Sequence, residues 1–551
     1  MAQRPQRIGQ LVAQALAAAG VEWAFTVPGE SFLSVLDALP GAGIRVVATR
    51  HEGGAAFMAE AAAQLSGRPQ ACLGTRAVGA ANLAIGLHTA RQNSTPVVAL
   101  VGQVERSLRG REAFQEVDLV NSIGRLCKWA AEIDDPARAA DTLGEGLREM
   151  VDGRPGPVLF ALPADVLDEW LPLSTPVLAS SPAATPARGD VTAALELLRS
   201  GERPLILAGG GVLRADATVQ LVKLAERLSV PVMAAWRRPD VFPNDHPLYL
   251  GVTGYGAAST VRPRLLEADA LLVIGSRLSE VTTFGYAAPS PATRWVHVDA
   301  EPLRERAGLT SPELVLRADA QAFLDAALAV AGPERTPAAT ATAQRDADRA
   351  AYVAARVVDD GRPWNGHGVH PGHVIATLQR VLPRDAVLTT DAGNFGLWLA
   401  RGYQFMQAGT FLGPTSGAMG YGLPAAIAAS LCRPAATVVA LCGDGGFAMT
   451  MSELETGVRA GATPVVLVFD NRSYGTIAMY QQREGRELLA TDLGPVDFAA
   501  VARACGAQGG RVTRDAEFEP ALRDALAAGR PAVLHLEVDP RWVSPDTTAD
   551  D

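Results

Sequence analysis

Gly443-Asp444-Gly445-Gly446-Phe447 and, further on, Asp470-Asn471-Arg472-Ser473 combine hard oxygen donors with glycine backbone. Each piece follows directly on an apolar, β-branched run, residues 437–441 and 464–469, and a helical pattern over 451–456 separates them. This pattern predicts two parallel strands joined by a crossover helix. It puts Asp444 and Asn471 at the carboxyl ends of those strands, where open α/β sheets hold ligands. Gly445 and Gly446 let backbone N–H groups approach an anion closely. Asp444 and Asn471 offer hard oxygens to a small divalent cation. The chemistry that fits is a magnesium-bridged diphosphate. Gly-Asp-Gly alone is also an ordinary turn after a strand, so the reading depends on Asn471.

A second acid sits in a comparable place. Arg50-His51-Glu52 ends a predicted strand over 45–49 and opens an Ala-rich helix. The helix dipole alone accounts for a glutamate there. A carboxyl buried against an apolar ring, by contrast, has a raised pKa and is suited to hold and share a proton.

In these two pieces the chain resembles the thiamine-diphosphate (ThDP) enzyme superfamily, whose signature is Gly-Asp-Gly followed by Asn-Asn. Over nearly its whole length it is similar to the large, catalytic subunit of acetolactate synthase. Asp470 departs from the signature, standing where the first Asn is usual. The resemblance implies that Asp444, Asn471 and the Ser473 carbonyl hold Mg²⁺, and that Gly443, Gly445, Gly446 and Tyr474 border the cofactor. It also implies that Glu52 meets N1′ of the aminopyrimidine and so activates the cofactor. Asn394 and Phe395, after a strand ending near Thr390, match a segment beside the diphosphate. Within residues 416–426, Met419 matches the apolar wedge that bends the cofactor, and the Gly417 carbonyl matches the acceptor of its 4′-amino group.

The same resemblance suggests substrate residues. Gly102-Gln103-Val104, then Phe114-Gln115-Glu116, then Lys128 occur in the order seen in acetolactate synthases, where the Phe, Gln and Lys border the substrate channel. Gln115 offers a donor and an acceptor to a 2-oxoacid, and Lys128 a charge to steer a carboxylate. A helix-face Gln and a surface Lys are equally open readings. Tyr480 stands where those synthases carry a Trp that selects the second oxoacid, so the acceptor is open. Gly275-Ser276-Arg277 resembles a stretch that touches FAD in acetolactate synthases. Other superfamily members leave that domain empty, and both readings stay open. Gly209-Gly210-Gly211 follows a strand, but Arg214 replaces the third glycine of a dinucleotide fingerprint. Asp299 ends a strand where an acid meets a ribose. His367, His370 and His373 are read as a linker end, because Pro371 and Gly372 interrupt any helix aligning them.

These residues need a scaffold, and 551 residues exceed what one core holds. Hydrophobic residues make up 48% and charged residues 20%, a globular balance. The net charge of -10 argues against nucleic acid and against an anionic membrane surface. Five cysteines without metal spacing read as reduced thiols of a cytoplasmic protein. Pro/Ser/Thr/Ala-rich stretches at 174–189 and 332–363 read as linkers, giving parts at 1–173, 190–332 and 364–551. Each part alternates strand and helix signals, so the expected fold is α/β, three doubly wound parallel-sheet domains in series. Family likeness makes them pyrimidine-binding, central Rossmann-like and diphosphate-binding domains. It further implies a homodimer or dimer of dimers with the active sites between subunits. The reaction implied is decarboxylation of a 2-oxoacid, then carboligation to a second carbonyl. The rivals are an FAD-linked oxidase, or a lyase or hydrolase acting on an acyl-CoA, aldehyde or diketone.

Overall fold

Three six-stranded parallel sheets follow one another along the chain in the computed structural model, which describes residues 5–171, 184–333, 339–359 and 367–548. In the N-terminal sheet the strands are Trp23–Thr26, Arg45–Ala48, Gln70–Thr75, Val97–Gln103, Trp129–Glu132 and Val158–Pro163. Their spatial order is second, first, third, fourth, sixth, fifth. The C-terminal sheet repeats that order with Val387–Thr390, Phe411–Leu412, Val438–Gly443, Val465–Asp470, Gln508–Val512 and Ala532–Glu537. The central sheet runs third, second, first, fourth, fifth, sixth through Leu205–Ala208, Val232–Ala234, Tyr249–Val252, Ala270–Ile274, Arg294–Asp299 and Leu314–Arg317. That is the strand order of dinucleotide-binding sheets. Strands such as Ala270–Ile274 and Val465–Asp470 are buried at every position. Their continuous apolar runs follow from helices covering both faces.

Each order has a switch point, where the chain leaves the first strand toward one side and returns on the other. In the outer sheets it lies between first and third strands, and in the central sheet between first and fourth. Ligands bind at the carboxyl ends of strands beside such a point.

The outer domains meet through helix Glu52–Ser66, buried along almost its whole length between helices Arg76–Asn93 and Gly422–Cys432. Small side chains permit this: a Cβ on Gly86 would lie 2.2 Å from Ala56 Cβ. The helix also carries a fully buried Glu60. Its carboxylate accepts from Asn93 Nδ2 at 2.9 Å, Thr95 Oγ1 at 2.7 Å and Tyr421 Oη at 2.6 Å. Asn93 Oδ1 in turn accepts from Arg238 Nη2 at 3.2 Å and Thr415 Oγ1 at 2.6 Å. Residues of all three domains thus share one polar knot, as a buried charge requires.

Within the second linker the Ala/Thr/Arg tract forms a connecting helix, Ala339–Ala355, docked on the central domain, with Arg264 Nε 2.8 Å from Asp348 and the buried Tyr352 ring edge-on to Tyr249. Pro371 starts a helix, Pro371–Val381, which leaves His367 and His370 outside it, so no helix aligns the three histidines. Proline at the first helical position loses no hydrogen bond and has its φ already set. In the first linker residues 174–183, and in the second residues 334–338 and 360–363, lie outside the described residues. Among the described residues no helix is long and apolar enough to cross a membrane.

Candidate functional site

Asp444 opens helix Asp444–Thr450 directly from strand Val438–Gly443 and is almost fully buried. Its Oδ1 accepts from the Gly445 N–H at 2.8 Å, while Oδ2 is buried without a partner among the described residues. A Cβ on Gly445 would come within 2.6 Å of Tyr474 Cε1, so the ring lies across bare backbone. A Cβ on Gly446 would meet Asp391 Oδ2 at 2.3 Å. Asn471 Oδ1 accepts from the Ser473 N–H at 3.1 Å. The side-chain nitrogens of Asn471 and Asn394 lie 2.9 and 3.8 Å from where a Cβ on Gly475 would sit, so the two amides converge there. Thr476 Oγ1 donates to Asn394 Oδ1 at 2.8 Å and fixes it. Phe395 stacks on Phe469 with centroids 5.5 Å apart and its edge over Gly443. One cradle therefore gathers Asn394, Phe395, Gly443, Asp444, Gly445, Gly446, Asn471, Ser473 and Tyr474. Among the described residues no three His, Cys, Asp or Glu side chains group as metal ligands. A cation here would draw on the Asp444 carboxylate together with the Asn471 amide and Ser473 carbonyl oxygens.

The electrostatics of the cradle suit a cation. Burial and the adjacent Asp470 raise the Asp444 carboxyl to about 7. Burial would raise Asp470 too, but the His535 Nε2–Asp470 Oδ2 contact at 2.7 Å and the Arg472 N–H outweigh it and hold Asp470 low. Asp470 thus stays ionised on its imidazole partner and supplies negative charge beside Asp444 that an Asn would not.

The loop after Leu412 completes one wall. Gly417 has φ +73° and is exposed, Met419 is half-buried, and the Ala392 N–H donates to the Ala418 carbonyl at 3.3 Å. This ties the Met419 segment to the turn carrying Asn394. Beneath it Asp391 is fully buried, with Oδ1 accepting from the Gly422 N–H at 2.5 Å and Oδ2 without a partner. Burial lifts its carboxyl from 3.8 to about 6, against the Gly422 and Gly420 N–H groups. A carboxyl raised in the fold favours the folded state while protonated, and that advantage disappears as pH rises through the folded value. Ligand-free protein is therefore expected to lose up to about 3 kcal/mol from this residue between about pH 4 and pH 7. Asp391→Asn lacks the ionisation, so the stability gap between wild type and variant, followed by thermal melts across that window, changes in wild type's disfavour as pH rises.

The N-terminal sheet presents a second set at its carboxyl edge. Glu52 is the first residue of its helix, and His51 Nδ1 caps that helix by accepting from the Gly53 N–H at 3.0 Å. Asn82 Nδ2 donates to Glu52 Oε2 at 2.9 Å. The preceding turn is held from the C-terminal domain, with the Arg50 and His51 N–H groups donating to buried Glu453 at 3.2 and 3.0 Å. Among the described residues no hydrogen bond or ion pair joins Glu52 to the Asp444 cradle. Phe114 and Gln115 share the Glu52 edge: Phe114 is 74% exposed, and the Gln115 carbonyl accepts from the Ala77 N–H at 3.4 Å. Lys128 does not join them. It precedes strand Trp129–Glu132, at the opposite edge, and its Nζ donates to the Asp152 carbonyl. The structure also brings to the Glu52 edge two residues that sequence reasoning missed, Glu30 and Arg76. Their one signal was a charge just past an apolar strand.

In the central domain, Gly210, Gly211, Gly275, Arg238, Arg277 and Arg306 line a cavity of about 910 Å³ at the switch point. Burial and the surrounding Arg154, Arg238, Arg306 and Arg91 press Arg277 down to about 10. Such crowding of guanidinium groups attracts an anion. Asp299 is not free for a ribose, because Arg154 of the N-terminal domain pairs with it at 2.9 Å. Tyr480, on helix Gly475–Arg483, hydrogen-bonds Tyr255 of the central domain, whose ring lies edge-on to Trp236 at the cavity wall.

Family comparisons agree with this geometry. Residues 6–122 match the thiamine pyrophosphate enzyme N-terminal TPP binding domain, 191–327 the central domain and 391–536 the C-terminal TPP binding domain. The chain is 30% identical to a probable acetolactate synthase large subunit of Methanocaldococcus jannaschii, over 97% of this chain and 92% of that protein. It is 32% identical to a sulfoacetaldehyde acetyltransferase of Rhodobacter capsulatus, over 94% and 92%. It is 29% identical to the acetolactate synthase isozyme 2 large subunit of Escherichia coli, over 96% and 95%. Matched in all three domains and along nearly its full length, the chain belongs to the thiamine pyrophosphate enzyme family.

Proposed function

We propose that the protein is a ThDP- and Mg²⁺-dependent enzyme that decarboxylates a 2-oxoacid and joins the resulting fragment to a second carbonyl. The observation that carries this reading is the pairing of two sheet edges: a cradle with an unused Asp444 oxygen on one, and Glu52 held by Asn82 on the other. When bound, ThDP supplies a nucleophilic carbon and an electron sink. Asp444, Asn471 and the Ser473 carbonyl would hold the metal, which would supply positive charge to the diphosphate. Gly445 and Gly446 keep the backbone clear for it. Asn394 and Phe395 would line the diphosphate, Met419 and the Gly417 carbonyl would border the rings, and Glu52 would hold and return a proton at N1′. Phe114 and Gln115 border the substrate. Lys128, at the far edge, is not part of this assignment.

Among the described residues of one chain no hydrogen bond or ion pair joins Glu52 to the cradle, which supports an active site built from two copies. Apolar side chains left exposed near both edges, Val78, Ile85 and Phe114 on one and Met449, Ile477 and Leu489 on the other, support a covered surface there. The arginine-rich central cavity favours a second reading, in which FAD or another anionic nucleotide sits beside the same chemistry and makes the enzyme an oxidase. One experiment separates the two. Purified protein with ThDP and Mg²⁺ is offered pyruvate, 2-oxobutyrate, glyoxylate and phenylpyruvate, while CO₂, carboligation products, O₂ uptake and flavin absorbance are followed. CO₂ release with a carboligation product is expected. Bleaching of a bound flavin with O₂ uptake and no new C–C bond selects the oxidase, and no CO₂ from any 2-oxoacid overturns the reading.

A further inference from the structure

The N-terminal sheet has its own switch point, and what straddles it is an ion pair. Glu30 follows the first strand, and Arg76 is the residue immediately after the third. Arg76 Nη1 lies 3.2 Å from Glu30 Oε1, across the crevice between those strands. In the C-terminal sheet, whose topology is the same, the residue immediately after the third strand is Asp444. The two turns are pressed together: a Cβ on Gly29 would fall 1.5 Å from Thr75 Oγ1.

Three features mark this pair as more than surface decoration. First, Arg76 has φ +43° and Gln115, beside it, φ +62°. Non-glycine residues hold such angles where the surroundings impose them, and these cluster at ligand sites. Second, four polar atoms at this edge are buried without a partner among the described residues: Ser31 Oγ, Thr75 Oγ1, Arg76 Nε and Gln115 Oε1. Buried polar groups are normally satisfied, so a group of unpaired ones points to a polar ligand. Third, the pair is lopsided. The Arg76 side chain is 17% exposed and Glu30 62% exposed. Exposed ion pairs contribute little to stability, so Glu30 is a partner that solvent, or another carboxylate, readily displaces. The Arg76 guanidinium also sits 5.9 Å from the centre of the exposed Phe114 ring, which shields one of its faces.

We infer that Arg76 anchors the substrate's carboxylate, and that Glu30 occupies that seat until substrate arrives. This rests on the 2-oxoacid reading above. A planar guanidinium matches a carboxylate with two parallel hydrogen bonds, which a lysine ammonium does not reproduce. Phe114 then packs against the apolar remainder of the substrate, and Gln115 Oε1 is available to a hydroxyl or N–H group.

The test uses full-length protein loaded with ThDP and Mg²⁺, and pyruvate or whichever 2-oxoacid of the panel turns over fastest. In Arg76→Gln, KM is expected to rise about tenfold or more while calorimetric ThDP uptake stays unchanged. Arg76→Lys should fall between the two. Glu30→Gln should lower KM, because the seat is no longer contested. An unchanged KM in Arg76→Gln with cofactor uptake intact overturns the inference and leaves the 2-oxoacid reading standing. If Arg76→Gln fails to load cofactor, Arg76→Lys decides by the same criterion. Wild type that takes up no ThDP, or that releases no CO₂ from any 2-oxoacid, overturns the parent reading and this inference with it.

Discussion

Replacing Glu52 by Gln is expected to lower kcat by about 10²–10⁴-fold, the range that a positioned general acid–base group contributes, while ThDP–Mg²⁺ uptake measured by calorimetry stays intact. Glutamine keeps the length of the side chain. Its carbonyl oxygen still accepts from Asn82 Nδ2, and the His51 cap of the helix is untouched. On the proposed reading, what it removes is the proton that Glu52 would take and return at N1′. Fold and binding therefore survive, and only the activation step suffers. Equal turnover by wild type and Glu52→Gln on the best substrate would sink the assignment. A variant that neither binds cofactor nor melts like wild type would point to damage at the domain junction, where Glu453 holds the turn before Glu52. Asn82→Ala separates the two: it leaves the carboxyl in place but frees it, so a smaller loss of kcat with cofactor uptake intact is expected.

How much of this was legible in the sequence depends on whether the signal is local. Asp444 and Asn471 each sit one step past an apolar β run, so strand, turn and ligand chemistry lie within a few residues and could be read directly. The all-buried strands announced their parallel sheets for the same reason. The strand order of the central sheet was not legible, because it is a property of pairing between distant runs. Arg214 spoils the glycine fingerprint, yet the sheet still adopts the dinucleotide-binding order and opens a cavity at its switch point. Lys128 shows the same limit from the other side. Its place in a family motif says nothing of sheet edges, and the strand it precedes points it away from Glu52. Arg76 was missed because nothing in the residues 75–79 announces a positive φ at an arginine. Asp299 read as a free acid until Arg154, more than a hundred positions earlier, proved to be its partner.

Two individually inactive variants should restore activity when combined. Asp444→Asn removes the carboxylate oxygen left without a partner in the cradle. Its affinity for Mg²⁺ is expected to fall by at least roughly 10–100-fold, the loss that even an outer-shell partner of a metal site costs, and turnover should fall with it. Glu52→Gln loses turnover for the separate reason given above. If each active site joins the Glu52 edge of one chain to the Asp444 cradle of another, a mixed dimer holds one site with both defects and one with neither. A symmetric two-fold contact permits this, because the same pair of surfaces meets twice. Co-expressing the two chains under different affinity tags and isolating the mixed species should therefore recover turnover at half of its sites. Were Glu52 and Asp444 to work within a single chain, every site in the mixed dimer would carry one defect and no activity would return. The measurement reads subunit sharing independently of the substrate's identity, and it needs only that one 2-oxoacid turns over. It also bears on why helix Glu52–Ser66 is buried so completely in its own chain: a helix that presents its first residue to a neighbour must be held along the rest of its length. The glycine contact to Ala56 and the Glu60 knot supply that hold.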